Sequence, residues 1–452
     1  MTQPYRLTVS ETAQQIKDRQ LSPVDLAQSQ LERIDATDKE LQAWVTIDRE
    51  EVLTTAKQLE DEAKGGKTRG LLHGVTVGLK DIFYTAGMKT AAGSKVYADF
   101  VPDFDATTVR KIKEAGGIIL GKAVTTEFAT SDPSPTYNPW NLEHTPGGSS
   151  SGSSVAVASK TVGAALGSQT GGSTCRPAAY NGIVGLKATY GRISRYGVVP
   201  VSWSLDHVGI LVRTVDDAAL MLQVLSGEDA NDPGSANEPV PNFRQQMTDH
   251  NRPPRIGIPS QYFQEKSTPE VWTHTQAVAK QLAASGAEIV EIGLPGSFSS
   301  SHSVQRIVMN VECAAYHEQF HANQAEDYGP RVRAGMEMGM LIPATKYLQA
   351  MRLRRQFRQD MVQMVQQVDA VLTPTTPAPA PKDRNTTGDA SFQAPWTSCG
   401  LPTVTIPSGL SENGMPLGVQ LGGLPFEEGK LLGIAKWCET TLGVQLSPPN
   451  YS

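Results

Sequence analysis

Two turns that are dense in glycine and serine are the most chemically suggestive feature of this 452-residue sequence. The first turn begins at Gly147, reads GGSSSGSS and contains Ser149, and the second begins at Gly167, reads GSQTGGSTCRP and contains Ser173. Glycine beside serine lets a hydroxyl sit on a tight backbone whose free N–H groups face a ligand. The segment between the turns is too apolar for a solvated Gly/Ser linker. A nucleophilic serine is therefore the first hypothesis.

A serine nucleophile needs a base, because its hydroxyl ionises far above neutral pH. Lys80 is the candidate base, since it directly follows the apolar strand predicted at Val75–Leu79, and open α/β sheets bind ligands where strands end. Burial would lower the pKa of the amine and keep it neutral. Serine–lysine pairs are an alternative to the histidine triad, and a second serine would relay the proton between them.

Other motifs point to different chemistry. The string GSSSG has Ser150 at the centre of a nucleophile-elbow pattern, with His302, His317 and His321 downstream as candidate bases, but no apolar strand precedes it. His317 and His321 are interpreted as one solvated helical face and not as metal ligands. Gly116–Lys122 has P-loop spacing, but Ala123 follows the lysine and the segment contains its own strand, which argues against nucleotide binding.

Composition excludes several classes of protein. The 40 Lys and Arg against 46 Asp and Glu give a net charge of −6, which argues against nucleic-acid binding. No apolar run approaches the roughly 20 residues that span a bilayer, and the N-terminus lacks the apolar core of a signal peptide. The four scattered cysteines include no CxxC pair and suggest reduced thiols. We expect a cytoplasmic protein without metal or cofactor.

Strands alternate with helices along the chain, without internal repeats or an obvious linker, and this order predicts one α/β domain. Residues 10–65 are predicted to be helical, with Ser22 and Pro23 starting a helix. Further helices are predicted at 109–117, 216–225, 272–284, 304–367 and 427–442, and strands at 75–79, 118–120, 255–258, 288–292, 403–406 and 417–421.

The residues above resemble the amidase signature family of hydrolases, on Lys80, GGSSSGS at 147–153 and GSQTGGSTCRPA at 167–178. Supporting motifs are NPW from Asn138, GIVGLK from Gly182, SLD from Ser204, and GLP from Gly400 ahead of PSG from Pro407. The resemblance covers nearly the whole chain. It implies one amidase signature domain over 1–452, with 1–66 a helical segment packed on it. The implied fold is a single large α/β/α domain with a mixed central β-sheet flanked by helices.

The resemblance also implies the site. By position Ser173 is the nucleophile, Ser149 is the relay held by a cis peptide bond after Gly148, and Lys80 is the base of a Ser–cis-Ser–Lys triad. The N–H groups of Thr170, Gly171, Gly172 and Ser173 are expected to form the oxyanion hole. No metal and no cofactor are implied.

Two positions depart from the common family pattern GSDTGGSIR. Gln169 replaces the aspartate, Cys175 takes the place of the arginine, and Arg176 comes one residue later. These changes put in doubt any charge pairing between that aspartate and arginine. They also favour a stand-alone enzyme over the glutaminase subunit of a tRNA amidotransferase, which resembles the common form.

We therefore expect a serine amidohydrolase that cleaves small amides, anilides or carbamates (urethanes) through an acyl- or carbamoyl-Ser173. The aryl-amidase and urethanase members of the family are the preferred comparison, and a neutral substrate is expected because no extra cation suggests a carboxylate anchor. The alternatives are a glutaminase A-type subunit of a tRNA-dependent amidotransferase and a catalytically silent binding protein. The expected partner is a small-molecule amide or carbamate, with neither nucleic acid nor membrane, and a homodimer is left open.

Three stretches are expected to carry substrate loops, namely Thr126–Thr136, His302–Ile342 and Asp383–Cys399. Five side chains within them are candidate apolar lining, although core packing explains each as well: Met336, Met338, Met340, Phe392 and Trp396.

Overall fold

The computed structural model describes residues 3–451, and within this range eleven strands form one mixed sheet flanked by helices. The strands are β1 (Trp44–Thr46), β2 (Thr76–Lys80), β3 (Ile118–Ala123), β4 (Ala164–Gln169), β5 (Val184–Lys187), β6 (His207–Val212), β7 (Arg255–Ile258), β8 (Glu288–Glu291), β9 (Ala370–Pro374), β10 (Thr403–Leu410) and β11 (Pro416–Gly422). The helices are α1 (Val9–Lys17), α2 (Pro23–Leu41), α3 (Arg49–Lys64), α4 (Thr107–Glu114), α5 (Ser151–Ala158), α6 (Cys175–Asn181), α7 (Val215–Leu225), α8 (Phe243–Asp249), α9 (Phe263–Lys266), α10 (Pro269–Ala284), α11 (Ser301–Gln324), α12 (Pro330–Leu341), α13 (Ala344–Val365), α14 (Ala394–Cys399) and α15 (Glu428–Leu442).

The order of strands across the sheet is β1-β3-β2-β4-β6-β5-β10-β11-β9-β7-β8. β2 runs parallel to both β3 and β4, and β7 runs parallel to both β8 and β9. The strands from β4 through β6, β5, β10 and β11 to β9 pair antiparallel. The predicted α/β fold with a mixed central sheet is therefore confirmed.

The N-terminal region is mostly helical, as predicted, but it contains three helices and the short strand β1. Ser22 caps α2 by accepting from the backbone N–H of Val24 at 3.0 Å, and Pro23 is the first helical residue, an arrangement that suits a helix start. β1 was missed because it is three residues long and gains its partner, β3, only through the fold. The assignment of 1–452 to one domain stays a prediction.

The centre of the sheet was also incompletely predicted. β4 was missed because its sequence, AALGSQ, lacks the β-branched and aromatic residues that favour strands. All six of its residues are buried, so packing between β2 and β6 overrides its weak propensity. β6, with the sequence HVGILV, is buried throughout as well.

Apolar clusters cover both faces of the sheet. Leu166 of β4 belongs to a large cluster that includes α7 and α15 residues, whereas its neighbour Ala165 belongs to the cluster beneath α2, α3 and α5. Every residue of α5 is buried, which suits a helix surrounded by protein. A Cβ on Gly152 would overlap the carbonyl oxygen of Ala43 and the backbone nitrogen of Val124, so glycine lets α5 approach the sheet.

Within residues 3–451, no helix combines the length and the apolar character that crossing a lipid bilayer requires.

Candidate active site

The topology of the sheet brings Lys80 and the two Gly/Ser-rich turns together. β2 and β4 are parallel neighbours, so their carboxyl ends lie at the same edge of the sheet. Lys80 is the last residue of β2, and Gln169 ends β4 just before the loop 170–173. Ser149 lies two residues before α5, which packs against β4. Lys80, Ser149 and the loop of Ser173 therefore meet at this edge.

Lys80 lies between two serine hydroxyls. Its Nζ is 2.6 Å from Oγ of Ser149 and 2.8 Å from Oγ of Ser168, and its side chain is fully buried. Burial lowers the pKa of Lys80 well below its ordinary value; the charge of Asp206 opposes this shift and the charge of Arg176 adds to it. A neutral amine in this position can accept a proton from Ser149 while it donates a hydrogen bond to Ser168.

The peptide bond between Gly148 and Ser149 is cis. The guanidinium of Arg176 donates to the carbonyl oxygen of Gly148 at 2.5 Å and to that of Gly388 at 2.7 Å. Its Nε has no hydrogen-bond partner, and no carboxylate in the described part of the chain lies within ion-pair distance of this arginine. Arg176 therefore joins the Ser149 turn to the 386–390 loop as a cation without a paired anion.

Ser173 lines a cavity of about 430 Å³, whereas Lys80 and Ser149 lie behind its wall. Each of the three stretches predicted to carry substrate loops contributes to the wall, although His302–Ile342 is mostly the helices α11 and α12 and not a loop. The wall includes Ala129, Thr130, Ser131, Thr170, Gly171, Gly172, Ser173, Arg176, Val201, Gln305, Met309, Asn310, Cys313, Arg331, Val332, Gly335, Met336, Thr386, Thr387, Gly388, Asp389, Ala390 and Ala394.

Of the five predicted apolar lining residues, only Met336 reaches the cavity. The predictions for Met338 and Met340 are wrong, because these side chains are exposed to solvent over 54% and 40% of their surface. For Phe392 and Trp396 the core-packing explanation is confirmed and the lining prediction is wrong, since both side chains are buried in an apolar cluster with residues of α13.

The loop 170–173 holds free backbone donors. The N–H groups of Thr174 and Cys175 both donate to Oε1 of Gln169 at 3.0 Å. By contrast, no acceptor within residues 3–451 takes the backbone N–H of Thr170, Gly171, Gly172 or Ser173. Preorganised donors of this kind can stabilise an oxyanion. All four predicted oxyanion donors thus have an N–H without a protein acceptor in the described residues.

The side chain of Thr170 has a separate partner, since its hydroxyl donates to the carboxylate of Asp206. Burial raises the pKa of Asp206 to about 6, while this hydrogen bond and the backbone N–H groups of Ser202 and Val201 act in the opposite direction. Asp206 therefore anchors the start of the loop.

The two residues that depart from the family pattern, Gln169 and Cys175, act as uncharged hydrogen-bonding groups. The amide oxygen of Gln169 accepts at the N-terminus of α6, as a carboxylate would, while its Nε2 donates to Oγ1 of Thr397 at 3.0 Å. Cys175 is buried with its Sγ 3.5 Å from Oγ1 of Thr403, and burial raises the pKa of its thiol. Both side chains are uncharged, so neither position can supply the charge pair of the common pattern.

The nucleophile-elbow alternative receives no support from the geometry. Ser150 is fully buried, and its Oγ accepts from the N–H of Ser168 at 3.1 Å. The nearest partners of the three histidines lie elsewhere: His302 contacts Ser391, His317 contacts Tyr328 and His321 contacts Glu337. Nor does the described part of the chain contain a group of three or more His, Cys, Asp or Glu residues placed to hold a metal ion.

Ser168 is one site residue that the sequence analysis missed. It follows Gly167 at the start of the second Gly/Ser turn, but it lies in β4, the strand beside Lys80 that was also missed. If the strand had been recognised as the parallel neighbour of β2, the pairing of Leu79 with Leu166 would have placed Ser168 close to Lys80.

Known proteins resemble this chain along nearly its whole length. The Amidase family model matches residues 25–432. The A-type subunit of the glutamyl-tRNA(Gln) amidotransferase of Geobacter metallireducens is 36% identical, over 95% of this chain and 96% of the relative. Its counterpart from Myxococcus xanthus is 34% identical over the same shares of the two chains.

Solved structures agree with this assignment. The peptide amidase from Stenotrophomonas maltophilia has a TM-score of 0.88 and 29% identity, over 99% of both chains. A structure of a vestigial protein complex that reveals the origins of an s-triazine catabolic enzyme has a TM-score of 0.90 and 28% identity, over 97% of this chain and 99% of that one. This chain therefore belongs to the amidase signature family of hydrolases.

Proposed function

We propose that the chain hydrolyses an amide bond with Ser173 as nucleophile, Ser149 as proton relay and Lys80 as base. The observation that carries this proposal is the buried pair of Lys80 and Ser149, with Nζ and Oγ 2.6 Å apart, behind a cavity wall that contains Ser173. A lysine can act as base only when neutral, and its burial supplies that condition.

In the proposed reaction each of these three residues has one role. Oγ of Ser173 attacks the amide carbon while its proton passes to Ser149, whose own proton passes to Lys80. The N–H groups of Gly171, Gly172 and Ser173 receive the negative charge that develops on the carbonyl oxygen. The C–N bond then breaks, and the leaving nitrogen takes the proton back along the same relay. Water then attacks the resulting ester and gives a proton to Lys80 through Ser149. The proton returns to Oγ of Ser173 as the ester bond breaks and the acid is released.

A stand-alone hydrolase of small amides, anilides or carbamates is the first candidate. The cavity volume of about 430 Å³ suits a small-molecule ligand. The structural similarity to a peptide amidase supports a linear amide substrate. The neutral roles of Gln169 and Cys175, which replace the residues of the common family pattern, also fit this candidate.

The glutaminase subunit of a tRNA amidotransferase is the second candidate, and the sequence comparisons favour it. Relatives with that description align over nearly the whole chain at 36% identity. The cavity wall also contains Arg176, Arg331 and Asp389, so the expectation of a neutral substrate loses its basis. Free glutamine carries a carboxylate and an ammonium group, which charges of both signs would suit.

One set of assays separates the candidates. Purified protein is incubated with glutamine and, separately, with a panel of anilides, primary amides and carbamates, and release of ammonia or amine is measured. Hydrolysis of the panel by the isolated chain supports the stand-alone enzyme. Glutamine-dependent ammonia release that needs a co-purifying partner supports the amidotransferase role. No turnover of any amide, together with no covalent labelling of Ser173, would contradict both.

A further inference from the structure

Each carbonyl of the loop 170–173 that precedes a free N–H is itself held by a hydrogen bond. Nε2 of Gln305 donates to the carbonyl of Thr170 at 3.1 Å. Oγ1 of Thr397 donates to the carbonyl of Gly171 at 2.7 Å. The carbonyl of Gly172 accepts from the backbone N–H of Arg176 at 3.0 Å, in the first turn of α6.

These three hydrogen bonds also fix the directions of the N–H donors, because each carbonyl belongs to the same planar peptide unit as the next N–H. In a planar trans peptide, the carbonyl of one residue and the N–H of the next point in opposite directions. Holding the carbonyl of Thr170 therefore aims the N–H of Gly171 away from Gln305, and holding that of Gly171 aims the N–H of Gly172 away from Thr397. This restraint matters at Gly171 and Gly172, because glycine tolerates rotated peptide planes that other residues resist.

We propose that Thr397 and Gln305 are positioning residues that fix the N–H groups of Gly172 and Gly171 in the oxyanion hole. This inference rests on the proposed function, in which those N–H groups stabilise the developing oxyanion. Neither side chain is part of the proposed triad. Thr397 lies on α14 and Gln305 on α11, and both helices are far from Ser173 in sequence.

Gln169 reinforces the bond made by Thr397. Its Nε2 donates to Oγ1 of Thr397 at 3.0 Å, so one lone pair of that hydroxyl is occupied. The hydroxyl proton then has two acceptors within reach, the carbonyl of Gly171 at 2.7 Å and that of Gln393 at 3.2 Å, and the shorter distance favours Gly171. Gln169 thus ties the end of β4 to the middle of the loop through Thr397.

Thr397 offers the cleaner test, because it does not line the cavity whereas Gln305 does. Thr397→Val keeps the shape of the side chain and removes the hydroxyl, and Thr397→Ser restores the hydroxyl. The readout is phosphonylation of Ser173 by an alkyl fluorophosphonate, followed by intact-protein mass. In that step the Oγ–P bond forms, fluoride leaves, and the serine proton passes to the relay. The phosphoryl oxygen occupies the oxyanion hole, so the assay needs no known substrate.

We expect the maximal phosphonylation rate to fall about tenfold or more in Thr397→Val, short of the roughly 10²–10³-fold cost of losing a donor outright. The probe concentration for half-maximal rate should stay unchanged, and Thr397→Ser should recover most of the rate. Gln305→Met should show the same fall in maximal rate. Thr275→Val is the matched control, since Thr275 is a buried helical threonine whose hydroxyl donates to the carbonyl of Val271, four residues earlier, and it should react at the wild-type rate.

A wild-type rate in Thr397→Val, or a Thr397→Ser variant as slow as Thr397→Val, would overturn the proposal. Crystal structures of wild type and Thr397→Val supply a measurement independent of reactivity, because the proposal expects the peptide plane between Gly171 and Gly172 to rotate in the variant. An unchanged plane would also overturn it. Failure of the proposed function has a different signature, since wild-type Ser173 would then not react at all.

Discussion

Nζ of Lys80 and Oγ of Ser149 lie 2.6 Å apart, and both residues have 0% of their surface exposed. A charged ammonium at this place would have lost its hydration without gaining an ion pair, so the neutral amine is favoured. The chemistry proposed for Ser173 depends on this pair and on the contacts that surround it.

The first prediction separates two neighbouring serines. Ser173→Ala should abolish turnover and leave the melting temperature close to that of wild type, because a small hydroxyl is lost from a preformed turn. Ser150→Ala should keep measurable activity, since within residues 3–451 the hydroxyl of Ser150 bonds only the backbone of Ser168, and the bond from its backbone N–H to the carbonyl of Ser173 is kept. Amide hydrolysis and thermal unfolding are measured for both variants. An inactive Ser150→Ala beside a fully active Ser173→Ala would restore the nucleophile-elbow interpretation.

The second prediction concerns metal ions. The proposed mechanism uses only serine, lysine and backbone groups, so hydrolysis should survive exhaustive chelation and require no ATP. Activity is measured before and after dialysis against a chelator, with readdition of zinc. Loss of activity that zinc restores would contradict the serine–lysine mechanism.

The third prediction concerns Gln169, the residue that departs from the common family pattern. Gln169→Met removes both the acceptor for the N–H groups of Thr174 and Cys175 and the donor to Thr397. We expect lower stability, since two buried N–H groups lose their partner, and lower kcat. Gln169→Glu keeps the acceptor and loses the donor, so it should retain more stability than Gln169→Met. Equal unfolding midpoints for the two variants would show that the α6 cap contributes nothing.

The fourth prediction concerns a buried ion pair remote from the site. Glu428 at the start of α15 lies 3.3 Å from Nε of Arg192 and accepts from the N–H of Thr189 at 2.9 Å. Glu428→Gln removes the charge that compensates Arg192, and breaking a buried pair costs about 3–5 kcal/mol. Denaturant unfolding measures the change. Glu114→Gln, which breaks the exposed pair with Arg110, is the control and should change the free energy of unfolding by less than about 1 kcal/mol.

A feature of this fold could be predicted from the sequence when its signal lies within a short stretch of residues. Lys80, Ser149 and Ser173 are proposed from the sequence because short motifs surround them, and the amphipathic helices are predicted because their periodicity lies within one element. β4 and its Ser168 are not, because the strand forms through burial between β2 and β6 and not through local propensity. Gln305 and Thr397 contact residues 135 and 226 positions away in sequence, and no motif marks either one.

The last prediction concerns Lys80 as base. Burial places the pKa of Lys80 well below its ordinary value, which is about 10.4 in an exposed lysine. The neutral amine is the active form, so kcat/KM should fall as pH drops through the lowered pKa and should reach a plateau above it. A profile of kcat/KM from about pH 5 to 10 measures this. The limb should have unit slope, because one proton on Lys80 blocks the relay.

Two substitutions complete the test. Lys80→Ala should lower kcat by at least the roughly 10²–10⁴-fold that general-base catalysis contributes, because Ser149 then has no proton acceptor. Lys80→Arg should do no better, since a guanidinium stays protonated and cannot accept a proton. The limb that the titration of Lys80 produces should disappear from the pH profile of the residual activity in both variants, which a loss of packing alone would not cause. Near-normal turnover by Lys80→Arg would show that the site needs only a positive charge at this position, and the assignment of Lys80 as base would be wrong.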